Sequence, residues 1–227
     1  MQCMRIGAAT ALLGLVWCGT AAAVICGELG IVAQDGLAKA TQTIRPARGE
    51  VRAAVLFARF ADEEAVGVPA FANDFFAAGL PGSLSHFYAE MSRGQFLLSG
   101  EVIPQRYASE QGADAYVSEI DGQVGGFGRF VVEVLEAADE EIDWGAYDND
   151  GPDGQANSGD DDGYVDFVFI NMLTTPSGFL ISEATGLARL GLGSDFVSGD
   201  RRSNGGFIKV RADSDVQGVG GTVQRAH

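Results

Sequence analysis

The chain predicts a mixed α/β (α+β) fold, and three patterns carry that prediction. Residues 51–60 form a nearly continuous apolar run, residues 127–138 repeat apolar side chains at a 3.6 period, and residues 164–170 are rich in β-branched and aromatic types. Strands alternating with helices of this kind imply a sheet with helices packed on it.

Taken in order, residues 51–60 read as a buried central strand, ending where Ala61, Asp62 and Glu63 turn polar. Ser83 caps a short helix in which Leu84, Phe87, Tyr88 and Met91 share one face, so an aromatic core face is expected, and Gly94 sits where a left-handed stop falls. The set Phe71, Phe75, Phe76 and Phe87 is assigned to the core. Residues 95–103 have strand composition and are closed by Pro104. In the helix over 127–138, Phe127, Phe130, Val131, Val134, Leu135 and Ala138 line one face, with Glu133, Glu136, Asp139 and Glu140 mostly turned to solvent. Residues 164–170 form a buried strand and residues 207–211 an edge or half-exposed one. The Gly-, Ser- and Thr-rich residues 174–206 carry no period that assigns them.

The N-terminus reads differently. Arg5, the apolar stretch 6–16 and the small residues Ala21, Ala22 and Ala23 describe a secretory signal peptide over residues 1–23. Thr10, Gly14 and Gly19 interrupt the run, which falls short of the ~20 apolar residues of a membrane span. Trp17 before Cys18 and Ile25 before Cys26 do not suit lipoprotein cleavage, and Cys26, alone in the mature chain, forms no internal disulfide. Residues 24–50 read as a linker or pro-segment remnant, and residues 51–227 as the domain proper. The expected location is extracellular or periplasmic, with no membrane association after cleavage. A formal charge of −16 repels nucleic acid and anionic lipid, and Arg201-Arg202 is too short a basic run to offset it.

The densest chemical signal is acidic. Seven aspartates fall within nineteen residues, in two Asp-x-Asp-Gly units that start at Asp148 and Asp160. Alternate carboxylates converge in such units while glycine permits the turn, which gives Asp148, Asp150, Asp153, Asp160, Asp162 and Asp166 as candidate metal ligands. Calcium suits the oxygen donors, in a structural role that fixes the direction of the strand after Tyr164. The spacing is not that of an EF-hand, because Gly151 is fourth where that loop needs it sixth. The competing reading is an acidic, solvated connection. His86, among Leu84, Phe87 and Tyr88, reads as a half-buried packing residue, and Cys26 lacks a histidine that would make it a nucleophile. The chain contains no Gly-x-Ser-x-Gly elbow and no Gly-rich phosphate loop ending in Lys-Ser/Thr.

Residues 81–102, with Gly82-Ser83, Phe87-Tyr88, Ser92-Arg93-Gly94-Gln95 and Gly100-Glu101-Val102, together with Tyr147-Asp148-Asn149-Asp150-Gly151 and Asp162-Gly163-Tyr164-Val165-Asp166, resemble the immune inhibitor A type of metallopeptidase. The similarity extends over residues 51–170. It implies the N-terminal part of a secreted zinc endopeptidase with a zincin-like twisted mixed sheet and packed helices, often calcium-stabilised, acting on protein or peptide substrates. The zinc of that family is held by His-Glu-x-x-His, whose glutamate is the base on the bound water. That motif does not occur here, and the two histidines are His86 and His227. The resemblance therefore implies an incomplete domain lacking the active-site helix, inactive alone, with His227 either the first zinc ligand or shortly before the motif. Without that helix, the apolar face behind Val165, Val168 and Ile170 is expected to be partly exposed. The alternative is a secreted calcium-binding or adhesive module with no enzymatic activity.

Overall fold

A computed structural model of the chain describes residues 48–120, 122–181, 184–212 and 220–226. The expected signal peptide over residues 1–23, the expected linker or pro-segment up to residue 47, Cys26 and His227 lie outside the described residues. The first strand, β1 (Gly49–Arg59), starts slightly earlier than the apolar run suggests. Its uninterrupted apolar character has a direct cause: Ala54, Leu56 and Ala58 face one core, while Val51, Ala53, Val55 and Phe57 face another.

Helix α1 (Leu84–Ser92) opens where Ser83 Oγ accepts the His86 N–H at 3.1 Å, and closes on left-handed Arg93 and Gly94. The expected aromatic core face is not the one it buries. Phe87 is 53% exposed and Met91 71%, and Tyr88 is exposed as well. The helix instead turns Ser85, Ala89 and Ser92 inward. Ser85 Oγ donates to the Leu98 carbonyl, Ser92 Oγ donates to the Phe96 carbonyl at 3.0 Å, and the Phe96 N–H donates to Ser92 Oγ at 2.9 Å. Small hydroxyl residues permit this close approach, and the bulky aromatics are displaced outward. Phe71 is exposed for its part, leaving Phe75 and Phe76 to pack over Phe57 and its neighbours. His86 is half-buried, as its surroundings suggest.

Strand β2 (Phe96–Ala108) runs straight through Pro104. Its register against β1 jumps between the pairs Val55–Val102 and Phe57–Arg106, so the proline occupies a bulge in an edge strand, where its missing N–H is tolerated. Helix α2 (Phe127–Ala138) buries all six predicted apolar positions. Strand β3 (Phe167–Met172) begins later than composition suggests, because Tyr164, Val165 and Asp166 are spent on tethers to other segments. The unassigned region contains β4 (Gly186–Leu187) and β5 (Phe196–Arg201), the latter pairing antiparallel with β6 (Phe207–Val210). The last described strand is β7 (Gly221–Arg225).

The main sheet has the order β2-β1-β3-β7-β4, parallel from β2 to β7 with β4 antiparallel at the edge. Parallel neighbours need crossovers: the α1 segment leads from β1 to β2, the α2 segment from β2 to β3, and the stretch that carries β4, β5 and β6 from β3 to β7. Helix α2 covers the face carrying Val168, Ile170 and Val223. The expected exposure behind Val165, Val168 and Ile170 is therefore not found: all three are buried, α2 and the Phe60, Tyr116, Phe130 and Phe179 ring cluster having sealed that face. Among the described residues the fold is mixed α/β, with a mixed sheet and two α-helices. Among the described residues, no helix is long and apolar enough to cross a membrane.

Candidate metal centre

The carboxylates lie on the connection from α2 to β3. A 3-10 turn at Trp144–Tyr147, with Asp143 Oδ1 accepting the Gly145 N–H at 3.1 Å, delivers the chain into Asp148. Trp144 and Tyr147 are buried, so the start of the loop is fixed by packing. The return limb is fixed by backbone: the Asp166 N–H donates to the Tyr147 carbonyl at 2.6 Å, and the Val165 N–H and Lys209 carbonyl meet at 2.8 Å. The loop is thus clamped at both ends against β1 and β6.

Three of the six predicted ligands converge. Oxygens of Asp148, Asp150 and Asp162 lie within 4.8 Å of one another. Asp148 is only 1% exposed, and its Oδ1 has no hydrogen-bond partner among the described residues. Burial, followed by repulsion from Asp161, Asp162, Asp150 and Asp166, pushes its carboxyl up to about 7. Asp162 is anchored from outside, where Arg211 meets Oδ2 at 2.7 Å and the Tyr164 N–H meets Oδ1 at 2.9 Å. Stacking of Arg211 over the Tyr164 ring, 3.9 Å from its centroid, holds that guanidinium in place.

The other three have different surroundings. Asp166 is buried beside the cluster, and its Oδ2 accepts the Arg52 N–H at 3.3 Å. Asp153 and Asp160 are exposed and organise the spacer: Asp153 Oδ1 accepts the Gln155 N–H at 2.8 Å, and Ser158 Oγ donates to Asp160 Oδ1. That hydroxyl, the first cause, holds the Asp160 carboxyl below its ordinary value. Neither belongs to the converging group.

Two residues outside the predicted set shape the loop. Asp161 is buried and acts as an internal brace, with Oδ1 accepting the Gly151 N–H at 2.7 Å and Oδ2 accepting the Ser158 N–H at 2.8 Å. Asn149 is buried too, its Oδ1 accepting the Arg52 N–H at 3.0 Å and its Nδ2 donating to the Glu50 carbonyl at 3.4 Å. An asparagine between two aspartates is the only trace of this in the sequence. Gly151 is required because a Cβ there would come within 2.6 Å of Asp161 Oδ1, and Gly163 because its φ is +82° and Arg202 fills the space beside it.

Such a set fits a hard cation. All donors in the converging group are carboxylate oxygens, an unpartnered buried oxygen faces like charges, and among the described residues neither imidazole nor thiolate joins them, a donor set of the kind hard cations take. A divalent ion would offset the repulsion that raises Asp148. Compared with known proteins, the chain matches no family model and none of the curated proteins.

Proposed function

We propose that the chain is the N-terminal part of a secreted zinc metallopeptidase domain, of the immune inhibitor A-like, zincin kind, in which the Asp148, Asp150 and Asp162 loop holds a structural calcium ion. The observation that carries this reading is the convergence of those carboxylates at the buried Asp148 Oδ1, inside the same motif that bears the resemblance. A mixed sheet with packed helices is what that scaffold requires, and the order of the α1–β2 motif, the acidic loop and β3 along the chain agrees with it. Zinc would supply an activated water, but its His-Glu-x-x-His ligands are not in this sequence, so the chain alone is catalytically silent. In this reading the full-length enzyme takes protein or peptide substrates outside the cell or in the periplasm.

The experiment compares casein cleavage by the 227-residue chain and by the longer reading frame. The expected result is no chelator-sensitive activity in the first and zinc-restored activity in the second. Zinc-dependent cleavage by the shorter chain would refute the assignment, as would a continuing frame devoid of paired histidines. The calcium site by itself also favours a second reading, a secreted calcium-binding module, which an inactive longer frame that still binds calcium would support.

A further inference from the structure

A cavity of about 480 Å³ opens at the carboxyl ends of β3 and β7, lined among others by Phe75, Leu84, Asn171, Gln224, Arg225 and Ala226. The carboxylate loop precedes the other end of β3, so the two features are separate. The cavity lies outside the carboxyl ends of the parallel strands, the end at which open α/β sheets hold ligands, one strand over from the point between β1 and β3 where the strand order reverses. Asn171, Gln224 and Arg225 are among the polar residues that line it. Asn171 is 1% exposed, and Gln224 Nε2 donates to its Oδ1 at 3.0 Å, which turns its Nδ2 away from Gln224. That Nδ2 has no acceptor among the described residues, and the buried Nε of Arg225 has none either.

Two dry N–H donors require acceptors. No carboxylate of a described residue lines the cavity. A cation is repelled by such a donor set, and a purely apolar guest would leave both N–H groups unsatisfied. A planar anion matches the planar amide and guanidinium, and Phe75, Leu84 and Ala226 offer an apolar wall beside it.

We propose that this cavity binds a carboxylate, whose oxygens accept from Asn171 Nδ2 and Arg225 Nε while a short apolar body lies against Phe75, Leu84 and Ala226. A small free acid and the C-terminus of a peptide share this chemistry. The full chain is titrated with butyrate, with the uncharged isostere butyramide, and with acetyl-glycyl-leucine as free acid and as amide, following the Asn171 side-chain amide and Arg225 Nε–H signals by NMR. The expected result is saturable shifts with at least one acid, and binding of its amide at least about tenfold weaker, since charge-assisted hydrogen bonds are roughly twice as strong as neutral ones. Tighter binding of the peptide acid assigns a chain terminus, and tighter binding of butyrate a small metabolite. Asn171→Asp, isosteric but placing an anion where a donor stood, abolishes the shifts. Should that variant fail to fold, Arg225→Gln, in which the guanidinium is lost, weakens binding at least about tenfold instead. Acids and amides binding alike, shifts that never saturate, or unchanged affinity in a folded variant would overturn the proposal.

Discussion

Asn149 Oδ1 accepts the backbone N–H of Arg52 at 3.0 Å across 97 positions of sequence, fastening the acidic loop to the start of the central strand. The same N–H reaches Asp166 Oδ2 at 3.3 Å, and the Arg52 guanidinium lies over the Tyr147 ring, 5.5 Å from its centroid. In the proposed site, a bound cation would thereby be coupled to the start of β1 and not confined to a surface loop.

Replacing Asn149 by alanine leaves a buried donor with a single, longer acceptor. The expected loss is about 1–3 kcal/mol, the usual penalty for a buried polar group losing its partner. Urea unfolding measures it, and calcium affinity should fall in parallel because the loop loses its tether.

Asp148→Asn separates stability from binding. The substitution removes a buried charge that its neighbours oppose, so the metal-free protein becomes more stable near neutral pH, while the stabilisation added by calcium disappears. Melting temperatures with chelator and with calcium, for both proteins, check the pair of effects.

The pH dependence has a definite sign. With its carboxyl raised from 3.8 to about 7, folded Asp148 keeps a proton that the unfolded chain has released, so between those values folding takes up a proton. This contribution makes the metal-free protein lose stability as pH rises through that window, and the trend levels off above it. Saturating calcium, which binds the ionised form, opposes the loss. Urea midpoints at about pH 5 and about pH 8, with and without calcium, report it.

The aromatic core is the place where truncation costs most. Phe130 is fully buried and its ring centroid lies 4.9 Å from Phe60 and 5.2 Å from Phe179. Phe130→Ala should cost about 3–5 kcal/mol in chemical denaturation. Met91→Lys, on the exposed side of α1, should fall within about 0.5 kcal/mol of the parent.

The elements visible in the sequence are those whose pattern is set by burial on a repeating face. The six apolar positions of α2 and the two-sided apolar run of β1 are of this kind. Helix α1 misleads because hydrophobic spacing shows that a face exists, not that something covers it, and here Ser85 and Ser92 make the contact through hydroxyls. Pro104 misleads because its tolerance depends on β2 being an edge strand, a property of the whole sheet. The acidic loop is visible as composition, but which carboxylates meet is decided by long-range tethers such as Arg52 to Asn149 and Asp162 to Arg211. Asp161 and Asp160 are neighbours in the chain, yet one braces the loop from inside and the other faces solvent.

Calorimetric titration of the metal-free chain with calcium tests the centre most directly. Saturable binding is predicted, weakened at least about tenfold by Asp148→Asn and by Asp162→Asn, because each removes one of few charged ligands, and changed far less by Asp153→Asn or Asp160→Asn. Absence of binding, or equal losses in all four variants, would contradict a site built on Asp148, Asp150 and Asp162.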